Sequence, residues 1–124
     1  MAITSFSKDA LIDYVPEYSG NRDSDDPCVV RVRYIPFSRV QDYGRIITAR
    51  AKGLNDPIKL KEIYQEIQKK QFIESVERVT NYCVDGKEVA DAETFYDTAD
   101  TELVLEIIKA MESMHKLSEG QRKN

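Results

Sequence analysis

One histidine, two cysteines and a run of closely spaced aspartates are the side chains of this 124-residue chain that invite chemistry. Zinc would need a second histidine or a CxxC pair; His115 has no such companion, and Cys28 and Cys83 lie far apart, each without a nearby CxxC partner. The cysteines sit in apolar contexts and read as buried thiols of a reducing compartment. Asp23, Asp25 and Asp26 have the charge to attract a divalent cation, but they lack the central glycine and terminal bidentate glutamate of a calcium loop. Glu62 with Glu66, and Glu102 with Glu106, stand at i,i+4 spacing, which is also how ordinary polar helix faces are made. The glycines Gly20, Gly44, Gly53, Gly86 and Gly120 are too scattered for a phosphate-binding loop. The sequence is therefore read as non-enzymatic, with no catalytic residue, no metal and no cofactor.

The elements that would position any functional surface follow from pattern. At this length the chain is expected to form one domain burying roughly two thirds of its unfolded surface. Residues 1–117 are read as that domain, with 19–27 as a mobile acidic loop and 118–124 as a polar tail. The alternation of Val30, Val32 and Tyr34 with Arg31 and Arg33 predicts a strand over Cys28 to Ile35, and Ala10 to Val15 is a second extended segment closed by Pro16. Pro36 ends the strand, and Ser38 with Gln41 reads as a capping box opening a helix to about Ala51, stopped by Gly53. Asp56 and Pro57 begin a second helix, expected to reach about Tyr82. Asp85-Gly86 signals a turn or very short hairpin, Asp91 to Ala99 a brief helical turn, and Asp100 the cap of a last helix. Together these predict an α+β fold: a small antiparallel hairpin or sheet in the N-terminal half packed against three or four helices.

Two patterns bear on function. In the helix expected over 57–82, Leu60, Ile63, Tyr64 and Ile67 cluster on one side, while Phe72, Ile73, Val76, Val79 and Cys83 lie roughly 150° away. Either the chain breaks near Lys69 so that both clusters share one core, or one cluster makes a subunit contact. Charge is also segregated: Arg31, Arg33, Arg39, Arg45, Arg50 and Lys52 stand against Asp42 alone, whereas Asp85 to Glu106 is acidic except for Lys87. The two segments either neutralise one another within a subunit or drive oriented self-association, giving a possible homo-oligomer. A nucleic-acid surface is disfavoured by the pI of ≈ 5.1 and the lack of aromatic interleaving. No segment approaches the roughly 18 apolar residues of a membrane span, and the N-terminus lacks a signal-peptide pattern, so a cytoplasmic protein without nucleic-acid or membrane partners is expected.

The last quarter is the most strongly two-faced stretch. Leu103, Val104, Ile107, Ile108, Ala110, Met111, Met114 and Leu117 fall on one side and Glu102, Glu106, Lys109, Glu112, Ser113 and Lys116 on the other. Leu103, Ile107, Met111 and Met114, with Phe72, Val76 and Val79, are the candidate partner-binding residues. The order of features resembles small tail-module proteins of tailed bacteriophages and prophages, the tail assembly chaperones. The resemblance is carried by Pro36-Phe37-Ser38, by Asn81-Tyr82-Cys83-Val84-Asp85-Gly86, and by Glu106 to Ser113 followed by Leu117-Ser118-Glu119-Gly120 and Lys123-Asn124. It implies a non-enzymatic role in tail morphogenesis in the bacterial host cytoplasm, with the tape-measure protein or a tail-tube subunit as partner. It also implies a longer form made by ribosomal slippage near Lys123-Asn124. A tail-associated structural protein and a regulatory or interaction module of mobile-element origin are the alternatives.

Overall fold

The computed structural model describes residues 2–3 and 10–122, with side chains up to residue 113. Strand β1 (Leu11–Tyr14) leads through a 3-10 helix (Tyr18–Asp23) to β2 (Val29–Arg33). Helices α1 (Phe37–Ala51) and α2 (Pro57–Ser75) follow, then β3 (Val76–Thr80), the short strands β4 (Cys83–Val84) and β5 (Lys87–Glu88), α3 (Ala92–Thr98) and α4 (Thr101–Arg122). The fold is α+β, as the pattern predicts: β1, β2 and β3 form an antiparallel sheet in that order, with helices packed against it.

Several boundaries are set by the residues expected to set them. Asp56 accepts from the Ile58 amide at 2.9 Å with Pro57 at the first helical position, and Asp100 accepts from the Glu102 amide at the start of α4; Asp91, not singled out as a cap in the sequence, accepts from the Thr94 amide to start α3. The β4–β5 hairpin turns through Asp85 and Gly86 at φ 53 and 77, the paired left-handed conformation that a tight hairpin requires.

Other expectations are corrected. Pro36, not Ser38, is the N-cap of α1: its extended backbone already presents the carbonyl that accepts from Arg39 and Val40, so Ser38 lies inside the helix and no side chain caps it. The 3-10 helix Tyr18–Asp23 enters the 19–27 segment, and there the Asn21 side chain donates to the Pro16 and Cys28 carbonyls and accepts from the Cys28 amide. Cys28 is half-buried, and that burial raises its thiol pKa, but Cys83 is exposed rather than buried. The last helix runs from Thr101 to Arg122.

The largest correction concerns residues 76–82, which are not helical. The chain passes from α2 into β3 with no intervening loop, the Val76 amide still donating to the Phe72 carbonyl. Valines 76 and 79 are three apart, a helical spacing, yet both are buried on a strand. A β-bulge reconciles these facts. Val30 faces Val79 and Val32 faces Val76, so Glu77 is the extra residue on β3 and both valines reach the same face.

That face, with Ile12 and Tyr14 of β1, is covered by Phe72, Phe95, Leu103 and Ile107. Phe72 stacks parallel to Phe95 with ring centroids 6.2 Å apart, and Tyr82 meets Phe95 edge-on at 4.6 Å. A second, smaller cluster of Tyr43, Ile63 and Ile67 joins α1 to the first turns of α2. Of the two apolar clusters of the 57–82 region, Ile63 and Ile67 are thus buried against α1 and Phe72, Val76 and Val79 in the main core, whereas Tyr64 and Cys83 are exposed. Among the described residues, no helix is long and apolar enough to cross a membrane.

The bulge yields a sharp test. Glu77→Ala, at an exposed position, should change stability by no more than about 0.5 kcal/mol. Deleting Glu77 leaves Val76 and Val79 two residues apart, where regular pairing with β2 keeps both on the core face, so that variant should also stay folded with both valines buried. Deleting Glu77 and Arg78 together makes the valines adjacent and turns one outward, and should cost at least about 1.5–3 kcal/mol. Urea denaturation of the three variants measures the differences.

Candidate functional site: an apolar groove between α2 and α4

The inner face of a three-stranded sheet is wider than the two helices α2 and α4 cover, and a groove of ≈ 380 Å³ remains between them. Its floor is Ile12 and Val32 of the sheet, continued by Tyr34 and Ile35 where β2 runs out. One wall is α2, through Gln68, Gln71, Phe72 and Ser75 at i, i+3, i+4 and i+7. The other is α4, through Ile108, Met111 and Glu112, and Val40 of α1 closes one end. Arg33 contributes to the rim. The volume falls in the range of pockets that take a small molecule or a few apolar side chains.

Two carboxylates hold the walls in position. Glu74, on the last turn of α2, takes a two-pronged contact from Arg39 at 2.7 and 2.6 Å and a hydrogen bond from the Tyr43 hydroxyl, fixing α1 beside α2. The Arg39 guanidinium also lies 4.6 Å from the centroid of the Tyr43 ring. The Arg39 bonds hold the Glu74 carboxyl below its ordinary value of 4.5, although partial burial opposes the shift. Burial and the bond to Glu74 push Tyr43 up to about 12. On the other wall, Glu106 of α4 accepts from the Tyr14 hydroxyl at 2.5 Å and from the amides of Glu17 and Tyr18 at 2.8 and 3.0 Å. That cluster ties α4 to the end of β1 and the start of the 3-10 helix. Burial first, and then the bond to Glu106, push Tyr14 up to about 12.

The groove offers apolar surface with a polar margin. Ser75, its most buried polar side chain, donates to the Gln71 carbonyl at 2.7 Å within its own helix. Among the described residues, no three His, Cys, Asp or Glu side chains converge to hold a metal ion. The arrangement is suited to receiving aliphatic or aromatic side chains whose backbone meets Gln68, Gln71 and Glu112 at the rim.

Of the residues singled out from the sequence, Phe72 and Met111 line this groove. Val76, Val79, Leu103 and Ile107 lie beneath it in the core, from 0% to 7% exposed, and do not reach the surface. The side chain of Met114 lies outside the described residues, as does that of His115. The groove also includes Ile12, Ile35, Val40, Gln68, Gln71 and Ile108, which the sequence reading did not single out as partner-binding. Gln68 and Gln71 share the helical repeat Gln68-Gln71-Phe72-Ser75, a polar stripe with Phe72 within it. Compared with known proteins, the chain matches no protein-family model, no curated protein and no solved structure.

The Glu74 linkage carries a pH signature. Because its folded pKa is depressed, the unfolded chain binds the proton more readily, and the stabilisation present above the unfolded pKa is lost as pH falls through the folded value. Wild type should therefore exceed Glu74→Gln in stability at neutral pH, with the difference shrinking as pH drops below the ordinary carboxyl value. Paired denaturant titrations across that range measure it, and a constant difference would contradict the assignment.

Proposed function

We propose that this chain is a non-enzymatic binding protein of bacteriophage or prophage tail morphogenesis, a tail assembly chaperone that receives a helical segment of a tape-measure or tail-tube protein in the α2–α4 groove. The observation that carries the binding part of this reading is the groove itself, an apolar slot on a sheet face flanked by two helices. An amphipathic helix inserts side chains at i, i+3 or i+4, and i+7 into such a slot. Met111 at one wall is an unbranched, polarizable side chain that accommodates different anchors, as a chaperone of a long repetitive client requires. The tail-specific part rests on the resemblance of the Pro36-Phe37-Ser38, Asn81 to Gly86 and Glu106 to Gly120 stretches to tail assembly chaperones.

Co-expression with overlapping helical fragments of phage tape-measure and tail-tube proteins tests the reading. A soluble complex with one set of fragments is expected. Val40→Glu and Gln68→Glu, both at exposed positions on the groove, should weaken capture roughly tenfold or more with the circular dichroism spectrum unchanged. Capture insensitive to both substitutions would remove the groove from the mechanism; failure to capture any tail fragment would remove the tail role.

A further inference from the structure

Ion pairing divides this molecule into two blocks of opposite charge. From residue 28 to residue 80, the stretch forming β2, α1, α2 and β3, there are eleven Lys and Arg against six Asp and Glu. The flanking stretches 10–27 and 81–113 carry three Lys and Arg against fourteen Asp and Glu. The two blocks scarcely neutralise each other. Arg39 pairs with Glu74 and Asp42, Arg45 with Asp42, and Arg50 with Glu66, all inside the basic block. Among the described residues the pairs that cross between blocks are Arg31 with Asp13 at 2.9 Å and Lys69 with Asp97 at 2.8 Å. Intrasubunit neutralisation, one of the two readings of the segregated charge, is therefore confined to two contacts.

Two groups of the unpaired charges each have an exposed aliphatic side chain beside them. At the tip of the α1–α2 hairpin, Lys52, Lys59 and Lys61 are exposed and enter no ion pair among the described residues. Between them stands Ile58, 70% exposed. The second place is where the 3-10 helix meets α4, a contact held by Glu106, which accepts from the Tyr18 amide at 3.0 Å. Asp23 ends that 3-10 helix, Asp25 and Asp26 follow it, and Glu102 lies in the first turn of α4; all four are exposed and likewise outside any ion pair among the described residues, and Leu105, one turn beyond Glu102, is 53% exposed.

We propose that the basic tip of the α1–α2 hairpin docks on the acidic face at the start of α4 in a second copy of this chain, head to tail. Lys52, Lys59 and Lys61 meet Asp23, Asp25 and Glu102, and Ile58 packs with Leu105. Because the two surfaces differ, the contact is heterologous, and repetition closes a ring or extends a filament. Opposite charge supplies orientation and encounter rate, while the paired aliphatic groups supply the desolvated centre that rim charges alone do not. The contact leaves the α2–α4 groove out of the interface and is independent of what that groove binds.

Sedimentation velocity of the whole chain tests this as ionic strength rises from about 0.05 M to about 0.5 M, a range over which surface charge becomes screened. Species heavier than the 14.3 kDa monomer are expected at low salt and should dissociate at high salt. Reversing the tip (Lys52→Glu, Lys59→Glu, Lys61→Glu) or the face (Asp23→Lys, Asp25→Lys, Glu102→Lys) should each weaken self-association roughly tenfold or more. A chain carrying both reversals should associate again, which also controls for misfolding because it contains every substitution. A chain that stays monomeric at low salt overturns the proposal. So does association that survives high salt, or that either single reversal leaves intact.

Discussion

The Val76 amide donates to the Phe72 carbonyl, and within that one turn the chain changes from helix to strand. The constraint is severe, because Phe72 on the helix and Val76 on the strand must both enter the same core with no loop to adjust them. Ser75 eases the change by turning its hydroxyl onto the Gln71 carbonyl, and the β-branched Val76, Val79 and Thr80 favour the extended backbone that follows. Once the junction is fixed, the rest of α2 has little freedom. Its last turns lie over the sheet, while its earlier residues Ile63 and Ile67 require another neighbour, which α1 supplies. The hairpin arm, the second small core and the gap between α2 and α4 all follow from that junction.

What could be read from the sequence was local. The valine–arginine alternation of β2, the Asp56-Pro57 start, the Asp100 cap and the Asp85-Gly86 turn are each decided within a few residues, and each takes the expected form. The misreadings arose where a distant partner decides. Val76 and Val79 carry a helical spacing because β2 admits an extra residue opposite it, and a bulge leaves no mark in the strand that contains it. Also hidden in the sequence is the bond that Asn21 makes to the Pro16 and Cys28 carbonyls on either side of the 19–27 segment, which composition conceals beneath the aspartates. The groove was least legible of all, since it exists only where segments from β1, β2, α1, α2 and α4 meet.

Two carboxylates do for the helices what the junction does for the sheet. Glu74 and Glu106 each take hydrogen bonds from a tyrosine hydroxyl and from further donors, and each joins a helix to an element distant in sequence. In the sequence both look like members of an ordinary polar face. Glu106 even stands at i,i+4 from Glu102, yet one carboxylate is occupied by the fold while the other remains exposed to solvent. Spacing defines which side chains share a helix face; neighbouring elements decide which of them are free to interact elsewhere.

The same distinction separates core from binding surface in α4. Its apolar face is continuous in sequence, but Leu103 and Ile107 are almost wholly enclosed, whereas Ile108 and Met111 lie against the groove. Removing an enclosed leucine or isoleucine from such a core costs about 2–5 kcal/mol, a large share of what a domain of this size has in total. A reversible contact cannot be built on side chains whose withdrawal unfolds the protein. The residues able to engage a partner and release it are therefore the half-exposed ones at the margin of the core, where a change of occupant leaves the packing beneath intact.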